Sequence, residues 1–402
     1  MKQKYLNTHI NKLVPFVELF SKALSFISVI IITSLVSVES FGAYYYIVSL
    51  VAWASVFMDG GISYYIINKS VKDEIDNLGE YLVSRVIFSL VTILILVVIV
   101  AIIRQSYVWY VLLYSFSFLF ILLTAFFKIV ARTQNKVKLD MTTVVLEPLL
   151  RVFILLILFL TLSKVSLELI FSILFFSSLG AFILSFFYFK KEIQVTLNFR
   201  VSIKKMRNIL KETRMYLLMY LFLVGLKRVE IIVAKFKFSE YDSGIYSSAD
   251  NFYNSAYLFF TSLILVVLKK HYQLNSKGKL NNFLALTGLA ITSVLFLYFL
   301  SVYIYAIFYK QDYIEGNYLL SILSLSLLFT PFIYFYILDY NHKNKTALNA
   351  KVLGVCFIIK VIFLLFSETI YEFCYAIVIV DALILATYFL VSRIKPLVKT
   401  TI

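Results

Sequence analysis

The chain has 402 residues, of which 61% are hydrophobic and 15% charged. Soluble domains are about 45–50% apolar and about 25% charged, so a soluble enzyme or regulator is excluded. The formal charge of +16 would suit a nucleic-acid binder, but the placement of the basic residues along the chain argues for a membrane surface instead.

A spanning helix takes about 20 apolar residues, and twelve runs qualify: 13–36, 43–67, 81–103, 107–131, 141–163, 166–189, 214–236, 244–268, 282–309, 317–340, 347–366 and 371–392. They are continuous rather than alternating, which excludes a transmembrane barrel. The expected fold is an all-α integral membrane protein of about twelve transmembrane helices in two six-helix lobes. Counted from the N-terminus, one set of connections carries Lys2, Lys4 and Lys12, then Lys69 and Lys72, Arg132, Lys136 and Lys138, Lys269 and Lys270, Lys343 and Lys345, and Arg393 and Lys395. The other set carries only Arg104, Lys164, Lys235, Lys237 and Lys310. This asymmetry predicts that both termini are cytoplasmic.

The basic N-terminus leads into a long first run holding Glu18 and Lys22, and reads as an uncleaved first helix rather than a signal peptide. The second run opens on Phe41-Gly42-Ala43-Tyr44-Tyr45 and closes on Met58-Asp59-Gly60-Gly61. Asp59 there reads either as a coupling-ion carrier or as the cap of a helix break. Lys128, near the end of the fourth run, reads as snorkelling to the headgroups. The fifth holds Glu147, Pro148 and Arg151. The domains expected are a lobe over 1–190, a basic cytoplasmic linker over 191–213 and a lobe over 214–402. Val201, Ile203, Met206, Ile209 and Leu210 interleave with Lys204, Lys205, Arg207 and Lys211, so the linker reads as an amphipathic interfacial helix or as a plain basic tether.

The seventh run holds Lys227, Arg228 and Glu230, and the eighth opens on Ser243-Gly244-Ile245-Tyr246-Ser247 and holds Asp250. Gly42 and Gly244 are 202 positions apart (244 − 42), half the chain, and each Gly-x-Tyr follows an acid, Glu39 or Asp242. An internal duplication is expected, as in many secondary transporters. Pro148 and Pro331 read as hinges or static kinks. Lys360 and Asp381 lie in the last two runs.

A cation in hydrocarbon costs about 2.5–3.5 kcal/mol even on insertion scales. Lys22, Arg151, Lys227, Arg228 and Lys360 therefore read as the lining of a wet, cationic cavity that binds a diphosphate, with guanidinium forks suited to phosphate. Glu18–Lys22 and Glu147–Arg151 are spaced i,i+4 and Lys227–Glu230 i,i+3, so some are equally neutralised structural pairs. Asp59, Glu147, Glu230, Asp250 and Asp381 are candidates for ion coupling. No phosphate-binding loop, nucleophile elbow or metal-ligand cluster is written in the sequence, so neither enzyme activity, cofactor nor metal is expected. Cys356 and Cys374 fall in or beside apolar runs, and no disulfide is expected.

At these residues the chain resembles the bacterial polysaccharide (O-antigen type) flippases of the multidrug/oligosaccharidyl-lipid/polysaccharide exporter superfamily. The segment from Phe41 to Ile62 is similar to that family's second helix, and Arg228-Val229-Glu230 through Gly244-Ile245-Tyr246-Ser247-Ser248-Ala249 to its seventh-to-eighth hairpin, here with base before acid. The resemblance implies two lobes around a cationic cleft in the bacterial cytoplasmic (inner) membrane. It implies alternating access for an undecaprenyl-diphosphate-linked oligosaccharide, with a polysaccharide polymerase and chain-length regulator as partners beside membrane lipid, and no nucleic acid. The other readings are a multidrug or cation exporter of the same superfamily and a membrane polysaccharide polymerase. The short external connections weigh against the polymerase, and the mostly basic interior against the cation exporter.

Overall fold

The apolar runs fold into helices close to where the hydropathy pattern places them. The computed structural model describes residues 2–70, 78–134, 136–162, 164–192, 202–271, 276–343 and 345–393, with side-chain surroundings outside 2–15, 67–70, 133, 191–192, 259–283, 342 and 393. In chain order the helices are α1 (Lys2–Leu35), α2 (Val38–Asp59), α3 (Ile62–Ser70), α4 (Leu78–Ile103), α5 (Val108–Thr133), α6 (Val137–Thr161), α7 (Leu167–Glu192), α8 (Ile203–Lys237), α9 (Glu240–His271), α10 (Ser276–Phe308), α11 (Gly316–Ser324), α12 (Thr330–His342), α13 (Thr346–Phe366) and α14 (Ile370–Arg393). Among the described residues nine helices are long and apolar enough to span a membrane, and ten if α11 and α12 count as one bent span. Large apolar side chains such as Leu94, Ile102, Leu160 and Phe187 stand exposed on their outer faces, where lipid replaces water as the solvent. The chain is a multi-pass membrane protein.

Two predicted spans are broken. The second ends at Asp59, because Gly60 and Gly61 both take positive φ (60° and 75°), which residues with a Cβ adopt only at a cost. The tenth is three pieces: α11, a 3₁₀ turn over Leu325–Leu328, and α12, with a bend of 42°. Pro331 sits in the first turn of α12, where its missing N–H leaves no bond unmade. It starts a helix there rather than kinking one. Pro148 lies inside α6. Residues 203–213 of the expected linker are the first turns of α8, continuous with the helix that follows, while 193–201 lie outside the described residues.

The duplication reaches the helix ends. Helix α1 ends at Leu35 and α8 at Lys237, and α2 begins at Val38 and α9 at Glu240, each pair 202 positions apart (237 − 35, 240 − 38). The capping serines keep the same offset. Ser37 Oγ accepts the Ser40 N–H at 3.3 Å, and Ser239 Oγ accepts the Asp242 N–H at 3.0 Å, satisfying orphan donors at each N-terminus. A single 3₁₀ turn of sequence Gln-x-Tyr, Gln105–Tyr107 and Gln311–Tyr313, follows α4 and α10.

The chain divides into two compact units, Met1–Ile232 and Val233–Ile402, with the division inside α8. In the first unit α1 packs on α6, α5 on α7, and α2 on α4 and α5. The first half of α8 rests on the α2–α3 break. Trp53 Nε1 donates to the Leu221 carbonyl at 3.3 Å, the Tyr65 hydroxyl donates to Glu212 at 2.6 Å, and Lys205 pairs with Glu80. In the second unit α11 packs on α9, α10 and α14, and α13 on α14. Two basic residues of the otherwise base-poor side have structural roles there. Lys237 Nζ donates to the Leu364 and Leu365 carbonyls at the end of α13, where a cation meets the negative end of the helix dipole. Lys235 pairs with Glu240 at 3.0 Å.

Gly316 opens α11 against a locked tyrosine. A Cβ there would meet the Tyr305 hydroxyl and lie 2.7 Å from the ring. Tyr305 cannot swing away: it is fully buried, stacks on Tyr309 at 4.8 Å and hydrogen-bonds Ser248 Oγ at 2.8 Å. Gly316→Ala is expected to cost about 1–3 kcal/mol, the usual penalty of overpacking, seen as a lower unfolding temperature of the purified protein.

Candidate functional site

In the first unit a polar seam runs along α1, α5 and α6. Ser21, Ser25 and Ser28 recur at i, i+4 and i+7 and so share one face of α1. Small hydroxyl residues let membrane helices approach closely and supply hydrogen bonds between them. Ser21 Oγ donates to the Val144 carbonyl of α6 at 2.9 Å. Arg151 lies along the same stripe, with Nε donating to Ser28 Oγ at 3.2 Å and Nη2 to Ser25 Oγ at 3.0 Å. Its Nη1 is 3.1 Å from Glu147, so the i,i+4 pair forms, and a fixed guanidinium fork is the result.

Toward the start of α6 the charges cross between helices. Glu18 is bound by Lys128 at 3.1 Å and by Arg132, while Arg132 Nε also holds Asp140 at 2.7 Å. Lys22 is half-buried and lies within electrostatic reach of both Glu18 and Lys128. Lys128 therefore turns to a carboxylate on α1 rather than snorkelling outward, because a charge partner within reach outweighs the stretch to the headgroups. Between these two charge groups lies a cavity of about 260 Å³, lined by Ser21, Ser25, Thr124, Lys128, Thr143 and Glu147 among others.

Helix α8 contributes Lys227 and Arg228, both half-buried, and Glu230, fully buried. Arg228 and Arg151 both lie within electrostatic reach of the buried hydroxyls of Tyr44 on α2 and Tyr114 on α5. Four of the predicted residues, Lys22, Glu147, Arg151 and Arg228, thus belong to one interior region of the first unit. Within that region Lys22, Lys128, Arg132, Arg151 and Arg228 outnumber Glu18, Asp140 and Glu147.

The remaining candidates stand elsewhere. Asp59 is buried in a 2.6 Å pair with Arg85 of α4 and accepts hydrogen bonds from Ser63 N and Oγ at 3.1 and 2.7 Å. It caps α3, the alternative that its Gly-Gly context offers, and is committed to a cation of the protein itself. Asp250 accepts a hydrogen bond from Asn254. In the second unit Lys360 and Asp381 are buried 3.6 Å apart. Among the described residues no group of three metal-ligating side chains converges.

Sequence reasoning missed Arg85, because a span beginning at 81 places it one turn inside the membrane edge. It also missed Arg132 and Asp140 as part of the site. The i,i+4 spacing of Lys128 and Arg132 on α5 was the available signal, since it puts both on one face.

The sequence model described as "Polysaccharide biosynthesis protein" matches residues 15–269, more than half of the chain. The chain belongs to this polysaccharide biosynthesis family. Among solved structures, the lipid II flippase MurJ in its inward closed conformation aligns with a TM-score of 0.69 at 18% identity, over 95% of this chain and 87% of that one. An inward-facing MATE multidrug resistance transporter of the MOP superfamily aligns at 0.63 and 16% identity, over 94% and 97%. A MOP superfamily transporter from Pyrococcus furiosus Vc1, described by the reverse polarity of its binding pocket, aligns at 0.60 and 14% identity, over 96% and 95%. The fold of this polysaccharide biosynthesis family member is therefore the one these three structures share. Among curated proteins, none matches the sequence.

Proposed function

We propose that the protein is a flippase that moves an undecaprenyl-diphosphate-linked oligosaccharide repeat unit from the inner to the outer leaflet of the bacterial cytoplasmic membrane, for O-antigen or other surface polysaccharide. The reading takes α8 and α9 as spans equivalent to α1 and α2, giving twelve with both termini cytoplasmic. The lobes 1–190 and 214–402, joined by 191–213, would alternate access to a cleft while the prenyl tail stays in lipid. The substrate crosses unchanged, so the work is transport rather than catalysis.

One observation carries the reading: Arg151 and Arg228, on different helices of the first unit, both lie within electrostatic reach of the same two buried tyrosines, in a region where basic residues outnumber acidic ones. Two guanidinium groups of that kind suit a diphosphate, which offers acceptor oxygens on two phosphorus atoms. Arg151 is held ready by Ser25, Ser28 and Glu147. A dianionic headgroup offers the fork more charge than a single carboxylate can. Lys22 and Lys227 are the further members of the proposed cationic set, Lys360 of the second unit being engaged by Asp381, and the family description of polysaccharide biosynthesis agrees with this substrate class.

The test is substitution. Arg151→Ala or Arg228→Ala should lower surface polysaccharide about ten- to a hundredfold, the loss of one charge-assisted contact of about 1.5–3 kcal/mol, with normal protein in the membrane and lipid-linked units stranded on the cytoplasmic leaflet. Normal polysaccharide in the double variant removes both residues from the mechanism. Single units accumulating on the outer leaflet when the protein is absent would indicate a polymerase, and altered resistance to cationic drugs the exporter reading.

A further inference from the structure

Helix α6 runs from Val137 to Thr161 without interruption, although Pro148 stands inside it. Proline has no amide hydrogen, so the carbonyl four residues before it loses its helical donor. That carbonyl belongs to Val144, and a hydroxyl from the neighbouring helix reaches it: Ser21 Oγ of α1 donates to the Val144 oxygen at 2.9 Å. The other two serines on this face of α1 use their hydrogens differently. Ser25 Oγ donates to the Ser21 carbonyl at 3.1 Å and Ser28 Oγ to the Leu24 carbonyl at 2.9 Å, the back-bond of a helical serine to its own i−4 carbonyl. Both then accept hydrogen bonds from Arg151, which lies beyond the proline. We propose that Ser21 is a positioning residue: its hydroxyl replaces the amide hydrogen missing at Pro148, and through this bond α1 fixes the course of α6 on which Arg151 is carried.

The serine face acts as a splint because it spans the proline. Helix α1 packs along α6. Ser21 holds α6 before Pro148, at Val144, while Ser25 and Ser28 hold it after Pro148, at Arg151. Within a membrane, a carbonyl freed by proline is satisfied by a Ser or Thr side chain, a neighbouring helix or an ordered water. Water is the rival here, since Ser21, Val144 and Pro148 all line the cavity of about 260 Å³, which has room for several waters. That decides the choice of variant. Ser21→Ala would let water take over the carbonyl, whereas Ser21→Val puts a methyl where the hydroxyl stood. Ser21→Thr has the shape of the valine variant and keeps the hydroxyl. The consequence for transport rests on the role proposed above for Arg151; the bond to Val144 does not.

The experiment measures the unfolding temperature of the purified full-length protein, and surface polysaccharide at matched membrane levels, for Ser21→Thr, Ser21→Val, Pro148→Ala and Ser21→Val/Pro148→Ala. Ser21→Thr should stay near wild type in both. Ser21→Val should unfold about 2 °C lower and lower surface polysaccharide severalfold. In the Pro148→Ala background Ser21→Val should lower the unfolding temperature no further, because the new alanine amide bonds Val144 itself. Equal unfolding of the Thr and Val variants, or an equal cost of Ser21→Val in both backgrounds, overturns the proposal. Where Arg151→Ala lowers polysaccharide, normal polysaccharide in Ser21→Val overturns the positioning role. Where Arg151→Ala does not, the transport reading has failed and the unfolding cycle alone decides. If Ser21→Val does not accumulate, membrane levels carry the same cycle: recovery in Ser21→Val/Pro148→Ala supports the proposal, and equal depletion overturns it.

Discussion

Asp59→Ala is expected to strip most of the protein from the membrane rather than leave an inactive protein in place. Arg85 is fully buried, and its only carboxylate contact among the described residues is Asp59 at 2.6 Å. With that carboxylate gone, the guanidinium keeps only the Leu122 carbonyl at 3.0 Å, Ser63 Oγ at 2.8 Å and the face of Phe126. Those are dipoles and a quadrupole, not a counter-charge. Removing one partner of a buried pair costs about 3–5 kcal/mol, a large part of a typical stability of about 5–15 kcal/mol. The α3 cap through Ser63 is lost with it, at about 1 kcal/mol. Immunoblots of membranes and unfolding of the purified variant read the effect directly. Replacing both residues, as Asp59→Asn/Arg85→Met, should recover much of the protein, because no unpaired charge remains. The contrary outcome is equally informative: Asp59→Ala present at normal levels but inactive would return Asp59 to the role of a coupling acid.

Gly61→Ala should be as damaging, and more so than Gly60→Ala. Both residues have positive φ, which costs a residue with a Cβ about 1–2 kcal/mol. They differ in what the added carbon meets. At Gly61 it would lie 2.7 Å from the Leu217 nitrogen and 2.9 Å from the Thr213 carbonyl of α8. That is helix backbone, which cannot rotate aside. Relief requires α8 to move off the break, and with it Trp53–Leu221 and Tyr65–Glu212. At Gly60 the neighbour is the Phe88 ring at 2.8 Å, a half-buried side chain that can tilt. Overpacking adds about 1–3 kcal/mol in full at Gly61 and only in part at Gly60. Unfolding temperatures of the two variants, measured side by side, should fall in that order; equal effects would mean that α8 yields as easily as a phenyl ring.

The two predictions concern the same place, where a helix break, a buried ion pair and the start of the second half of the chain come together. Only part of it was legible in advance. Gly60-Gly61 after Asp59 marks a break in any apolar run, because glycine alone takes that backbone cheaply. Nothing local marks Arg85 as the partner. The pair is 26 residues apart in sequence (85 − 59), and helix periodicity relates only residues three or four apart. Lys360–Asp381 and Glu18–Arg132 escaped for the same reason, whereas Glu147–Arg151, an i,i+4 pair, was visible.

The sequence by itself determined the solvent, the helices and the duplication. Hydropathy is additive along the chain, a span is a contiguous stretch, and a repeat survives as a fixed offset, here 202 positions from Gly42 to Gly244 and again from Ser37 to Ser239. Tertiary structure alone decided which intramembrane charges are mutually neutralised and which remain in positive excess. That depends on which helix faces meet, and a face-to-face contact between distant helices leaves no periodic trace in the chain.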